Sequence, residues 1–365
     1  MNESRKESDN TELSQAELRR RLTPYRQPSL RIAIWQLSST LGLLAGSVWL
    51  MWLSLSISYW LVLLLAVPAA GMMVRLFIFQ HDCGHGSFFR SRRANRWVGR
   101  ALAMLTLTPY EDWRYDHALH HASHGDLDHR GDGDVLTLTV DEYRQRGWWG
   151  RFGYRLYRHP LVMFGLFPTL LFAVRFRSPF GKPRQLRKQR ASVWLTNSSL
   201  LGGGIAATWL IGWDVFLLLY APVLIISATV GVWMFYVQHQ FNPTYWRRHD
   251  QWDRVHASLH GSSYYRLPKL LQWFTGNIGL HHIHHLDTRI PNYRLQQCLD
   301  DNRELLDVPP LTLRDSFRCA SLKLWDERTQ QMVGLDAAFD TADDTGDYRR
   351  LEVIYIACSS YDDDG

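Results

Sequence analysis

Cysteine is scarce in this chain. Four occur in 365 residues, Cys83, Cys298, Cys319 and Cys358, and no two form a C-x-x-C pair. This argues against a disulfide framework and a thiolate zinc site, and lone thiols fit a reducing cytosolic face. H-E-x-x-H, G-x-S-x-G and the phosphate-cradling P-loop are also missing, so metalloprotease, serine-hydrolase and P-loop nucleotide chemistry have no motif to stand on. No apolar stretch precedes Leu30, and residues 1–28 are polar and charged, which does not read as a signal peptide. No repeat of fixed period is visible.

The chain does have apolar residues gathered into long runs. Hydrophobic residues make up 46% of it and charged residues 21%. Four runs, about 32–53, 59–79, 193–211 and 215–237, are each near the ~20 residues needed to cross a bilayer as a helix. Buried helices of a soluble core are the alternative, but four such lengths in two close pairs favour the membrane. The turns at 54–58 and 212–214 contain no Lys or Arg, whereas the opposite flanks are rich in Arg, including Arg19–Arg21, Arg90, Arg92, Arg93, Arg175 and Arg177. The positive-inside rule therefore predicts both termini in the cytoplasm. Trp35, Trp49, Trp52, Trp60 and Trp213 lie near span ends, where an interfacial aromatic belt belongs. The stretches 97–109 and 161–174 are too short to span and are expected to lie in the cytoplasmic interface or dip into it.

The expected fold is an all-α integral membrane protein, with four transmembrane helices in two hairpins and a cytosolic helical cap (111–158 and 239–335) holding a di-metal site. A cytosolic N-terminal tail covers 1–30 and the membrane domain 31–335. Residues 336–365, with nine acids and two bases, form an acidic tail expected to be disordered. The remaining chain carries +13, which suits anionic lipid head groups or an acidic protein partner. No nucleic-acid partner is expected, because the basic residues flank apolar spans.

Histidine carries the chemistry. His117, His120 and His121 read H-x-x-H-H, and so do His281, His284 and His285, while His81 and His85 stand at i and i+4 just beyond the second span. On a helix, positions i, i+3 and i+4 share one face, so each cluster aims its imidazoles one way. A single His, His239, follows the fourth span. All four clusters fall on the cytoplasmic side of the predicted topology, so eight imidazoles converge, or nine with His239. One zinc uses about three or four ligands, so this many His fits two metals better than one. Imidazole suits Zn, Cu and Fe, and iron is preferred if the task is O2 activation. The pattern alone does not exclude zinc. His129, His159, His249, His256 and His260 read as ordinary surface or core residues. His282 is rotated away from its triplet. His124 continues the stripe of His117 and His121, but Gly125 is expected to end the helix there. Asp82 and Asp116, adjacent to ligand positions, could orient imidazoles from behind. Asn277, four residues before His281, could share its helical face.

These residues resemble those of the membrane fatty acid desaturases, with the bacterial and cyanobacterial acyl-lipid enzymes most alike. The likeness runs from about Gln36 to Leu335 through FIFQHDCGHGSFF, HALHHASHGDLDHRGDGDVLTLTVDEY, YRHPLVMFG, YVQHQF, GSSYYRLPKLLQWFTGNIGLHHIHHLDTRIPNYRLQ and LKLWDE. The resemblance implies two non-haem iron ions, O2 as co-substrate and electrons from ferredoxin or a similar carrier. It implies His81, His85, His117, His120, His121, His281, His284 and His285 as ligands, with His239 as a ninth. It further implies a glycerolipid acyl chain as substrate and the bacterial plasma membrane as location. His124, His129 and Asp287 depart from the family pattern, and no H-P-G-G marks a fused cytochrome b5. A related lipid hydroxylase or carotenoid ketolase shares the hydrogen-abstracting start. A His-rich metal- or haem-binding membrane protein is the non-enzyme alternative, although no single His lies mid-span to ligate haem.

Overall fold

The computed structural model describes residues 15–131, 133–180, 185–306 and 308–339. The chain is mostly helical. Helix α1 (Gln15–Leu22) and a 3-10 turn (Thr23–Arg26) precede a long hairpin, α2 (Leu30–Ser54) and α3 (Tyr59–His85). Serines start both arms, since the Ser29 and Ser58 side chains accept from the Ile32 and Trp60 N–H groups. Next come α4 (Arg92–Leu105), α5 (Tyr110–Ser123), α6 (Val140–Gln145), α7 (Trp148–Tyr157), a π-helical turn (Leu161–Leu166) and α8 (Phe167–Ala173). A second long hairpin, α9 (Arg187–Ile211) and α10 (Trp213–His239), follows. The remaining helices are short: α11 (Arg254–His260), α12 (Lys269–Phe274), α13 (His281–Leu286), α14 (Asn292–Asp301), α15 (Arg303–Leu306) and α16 (Leu313–Cys319).

Helices α2, α3 and α10 are long and apolar enough to cross a membrane. Only 17% of the apolar window of α2 and 22% of that of α10 is buried inside the molecule. Trp35, Trp49 and Leu50 on α2 and Leu217 on α10 face outward. Outward apolar faces of this kind are compatible with a surrounding bilayer. A buried cation sits within α3. Arg75 is buried, donates from Nε to Thr40 (3.2 Å) and from its guanidinium to the Trp273 carbonyl, and stacks 4.4 Å from the Trp273 ring.

The structure adds detail to the expected architecture and departs from it in places. The third expected span, 193–211, lies in α9, which has the length of a span and is less apolar than α2, α3 and α10, because Asn197, Ser198, Ser199 and Gly202–Gly204 dilute it. By contrast, Trp148–Tyr157 and Leu161–Arg177 together are apolar enough for a span, but the pair is bent by 53°. This is the shape of a broken span or re-entrant segment and agrees with a stretch that dips into the bilayer. The fold is also not purely helical. Strands β1 (Leu138–Thr139), β4 (Leu324–Asp326) and β5 (Gln331–Val333) form one small sheet, ordered β1-β4-β5, and β2 (Tyr264–Arg266) pairs in parallel with β3 (Pro310–Thr312). These ladders join chain segments too short to bond within a helix. The N-terminal region is no loose tail from Gln15 on. Leu18 and Leu22 are buried, Tyr25 donates to Asp301 (2.9 Å), and Arg26 pairs with Asp287 at 2.5 Å. Finally, Asp336–Ala338 form a 3-10 turn, with the Ala338 and Ala337 carbonyls accepting from Arg144, so the expected disordered tail cannot begin at 336. Residues 340–365 lie outside the described residues.

Candidate metal centre

The end of α3 is fixed by its neighbours. Gly86 takes φ +75°, a left-handed stop that favours glycine, and Ser87 N–H bonds back to the Asp82 carbonyl at 3.0 Å. The last carbonyls of α3 are taken by α5: Tyr110 Oη donates to Cys83 O and Arg114 Nε to Gly84 O, both at 2.8 Å. Those two bonds set His81 and His85 against His117. On α5 the Trp113 ring stacks on His117 at 4.6 Å. The end of α10 is held by Ser263, whose N–H and Oγ bond Gln238 O (2.9 Å) and Val237 O (3.1 Å). Gln238 Nε2 in turn donates to Ile278 O (2.9 Å), which ties His239 to the turn that starts α13. That turn brings two backbones unusually close, since a Cβ on Gly279 would sit 2.3 Å from the Tyr265 carbonyl oxygen.

These supports bring all nine expected imidazoles together in two sets. His81, His85, His117, His121 and His284 offer donor atoms all within 4.8 Å of one another, and so do His120, His239, His281 and His285. Nε2 atoms face each other: His85–His117 at 3.0 Å, His117–His121, His121–His284, His239–His281 and His281–His285 at 3.1 Å, and His120–His285 at 3.3 Å. Imidazole nitrogens at these distances either share a ring proton or flank a cation. With metal–nitrogen bonds of about 2.1 Å, neighbouring donors stand about 3.0 Å apart in an octahedron and about 3.4 Å in a tetrahedron. The observed spacings, 3.0–3.3 Å, lie between these two values, as donors to a shared ion would. Burial keeps His117, His121, His281, His284 and His285 well below the usual imidazole range, chiefly by desolvation and then by neighbouring imidazolium charge. Neutral rings are what metal ligation needs.

Behind the rings stand two carboxylates. Asp82 reaches His81 Nδ1 (3.3 Å) with one oxygen, and with the other accepts from the backbone and side chain of Asn292 (2.7 and 2.9 Å), clamping α14 to α3. Asp134, which sequence reasoning missed, accepts from His120 Nδ1 at 2.5 Å. One local signal for it exists: Gly133 takes φ +75°, and a Cβ there would lie 2.9 Å from the Asp116 carbonyl, so glycine is what lets Asp134 reach His120. Asp116 lines the neighbouring cavity. Asn277 does not share a helix with His281: α12 ends at Phe274, Asn277 has φ +60°, and its amide donates to Asn292 O (3.1 Å). The helical argument for it fails because the segment before His281 is a turn. His124 caps the end of α5 and is buried, with Nε2–H donating to Gly261 O (2.8 Å), outside both donor sets.

A cavity of about 480 Å³ is lined in part by His81, His117 and His281. Its walls are mostly apolar, from Met73, Phe77, Met163, Phe167, Leu171, Val232 and Phe235, with Thr106, Asp116, Asp134, Arg175 and Gln238 as polar exceptions.

Such paired imidazole sets beside an apolar cavity suit a metal-dependent enzyme acting on an apolar substrate, and the comparisons place the chain in a family. A sequence model described as fatty acid desaturase matches residues 58–316. The chain belongs to the fatty acid desaturase family, a class of oxidoreductases. It is 42% identical to a fatty acid desaturase of Bacillus subtilis over 323 residues, covering 88% of this chain and 91% of that one. It is 30% identical to an sn-1 acyl-lipid omega-3 desaturase (ferredoxin) of Synechocystis, covering 63% of this chain and 64% of that one. It is 25% identical to an sn-1 oleoyl-lipid 12-desaturase of Arthrospira platensis, covering 67% and 69%.

Proposed function

We propose that this protein is an O2-dependent desaturase that introduces a cis double bond into the acyl chain of a membrane glycerolipid. It would work at two non-haem irons held by His81, His85, His117, His121 and His284 on one side and His120, His239, His281 and His285 on the other. The observation that carries this reading is the meeting of two all-imidazole donor sets with an apolar cavity. Bound iron supplies, with O2, the oxidant for an unactivated C–H bond, which no protein acid or base can supply. The overall balance is two hydrogens from adjacent methylenes, one O2, two electrons and two protons, giving one alkene and two waters.

The chain's own residues do the rest. Asp82 and Asp134 fix ring orientation and tautomer for His81 and His120. The aromatic and aliphatic walls exclude water from the reacting carbons and decide which methylenes lie beside His81, His117 and His281. Asp116 supplies a polar wall there, next to His117. The topology this requires has α2, α3, α9 and α10 crossing the bacterial plasma membrane, with both termini and the imidazole sets on the cytoplasmic side. The Arg-rich flanks support that orientation. A glycerolipid substrate and a ferredoxin-type donor follow the lipid-linked and ferredoxin-using relatives named above.

Expression in a bacterium without polyunsaturated lipids, followed by mass spectrometry of total fatty acids, tests the reading. Products should be lighter by two hydrogens and should disappear in His120→Ala and His284→Ala. Products gaining one oxygen would make the enzyme a hydroxylase.

A further inference from the structure

Outside the nine imidazoles, the cap builds a second kind of donor set at its surface. Asp126, His129 and His249 each present a ligand atom, all within 4.8 Å of one another. The Asp126 side chain is 3% exposed, whereas His129 and His249 are 58% and 63% exposed. A single carboxylate oxygen, Oδ2 of Asp126, accepts from both imidazoles, from His129 Nδ1 at 2.8 Å and His249 Nδ1 at 2.7 Å. Its other oxygen is engaged by Asp128 N–H at 2.9 Å. The ring centroids lie 4.6 Å apart.

Backbone bonds hold this arrangement in place. Leu127 N–H donates to Arg247 O (2.9 Å) and Arg247 N–H to Gly125 O (3.0 Å), a parallel bridge that sets 247–249 beside 125–129. His249 N–H donates to Asp128 Oδ2 (2.9 Å). The nearby Arg248 guanidinium is held by Asp128 (2.7 Å) and Glu327 (2.8 Å), so its charge is offset by two carboxylates. The Arg247 guanidinium is turned to Trp246 O and Gln330 Oε1, both at 2.8 Å.

We propose that Asp126, His129 and His249 form a third metal site, for a divalent first-row transition ion, with water filling the remaining positions. Two imidazoles and one carboxylate with open positions suit Fe, Co, Ni or Zn, whereas Mg and Ca prefer all-oxygen shells. Adjacent donors on a six-coordinate ion with bonds of about 2.1 Å stand about 3.0 Å apart. Both imidazole nitrogens already stand within a few tenths of an ångström of that distance from Asp126 Oδ2. The ion replaces the two Nδ1 protons, which leave to solvent. The only movement needed is in two exposed side chains, while the buried carboxylate stays fixed. None of the nine imidazoles takes part, so the site stands or falls separately from the desaturase reading.

Full-length protein, purified in detergent with its iron in place, is equilibrated with Zn2+ and its bound metals are counted. We expect one zinc per chain beyond the irons, with a dissociation constant on the order of 1–10 µM. His129→Ala/His249→Ala should weaken that zinc at least about tenfold while the iron content stays unchanged. Asp126→Asn, which keeps shape and one acceptor, should weaken it similarly in protein that still elutes as wild type does. Equal zinc binding in wild type and variants, or no extra zinc below about 100 µM, would overturn the site.

Discussion

Replacing Asp134 with alanine should strip one of the two donor sets of its metal and leave the other loaded. Asp134 is buried, with a side chain 4% exposed, and its carboxylate holds His120 Nδ1 at 2.5 Å. A hydrogen bond to a buried charge is worth about 1.5–3 kcal/mol, or about 10–150-fold in an equilibrium constant. That overlaps the about 10–100-fold loss of metal affinity expected when a ligand imidazole loses its outer partner. His120 belongs to the four-imidazole set, and neither Asp134 nor any residue it orients belongs to the five-imidazole set. Iron per chain, measured by elemental analysis after dialysis against a mild chelator, should therefore fall from about two to about one, and lipid unsaturation should fall with it. Asp134→Asn keeps an acceptor for His120 without the charge and should lie between wild type and Asp134→Ala. Wild-type iron content and product in Asp134→Ala would refute the reasoning. So would loss of both irons from protein that still elutes as folded.

A Cβ added at Gly231 meets nothing within 4 Å, and the position lines the apolar cavity. Gly231→Ala should be tolerated, whereas Gly231→Phe should cut turnover of long acyl chains at least about tenfold with iron content unchanged; undiminished turnover would place the acyl chain elsewhere. Acid should destabilise the metal-free protein. Burial holds His124 and His282 at about 4, so the folded protein stays neutral there while the unfolded chain takes up protons below about 6.5. That stability is present above about pH 6.5 and falls as pH drops towards 4, by up to about 3 kcal/mol per residue. Urea midpoints at pH 7.5 and 5 measure it, and an unchanged midpoint would contradict the buried neutral state.

The sequence carried the imidazoles well because each box obeys one helical period. His117, His120 and His121 share a face of α5, and His281, His284 and His285 share one of α13. Three of the four apolar runs also sit in helices with the hydropathy of spans. Legibility ended where function depends on turns and on distant pairs. Asp134 reaches His120 through an irregular loop opened by Gly133, and no period links the two. Asn277 was placed on a helix because four residues separate it from His281, but Gly276 and Asn277 both take positive φ and break the helix there. His129 and His249 read as ordinary surface residues because their shared partner, Asp126, is 123 positions from His249 in the chain. The run 193–211 has helical length, and only the summed weight of its polar and glycine residues separates it from α10.

Iron counting coupled to product analysis on one purified sample tests the central claim most directly. Anaerobically purified protein should hold about two irons per chain. Given O2 and a reduced electron donor, it should release acyl chains lighter by two hydrogens, and after replacement of iron by zinc it should release none. Full activity without iron, or two irons bound in protein lacking both His120 and His284, would contradict it.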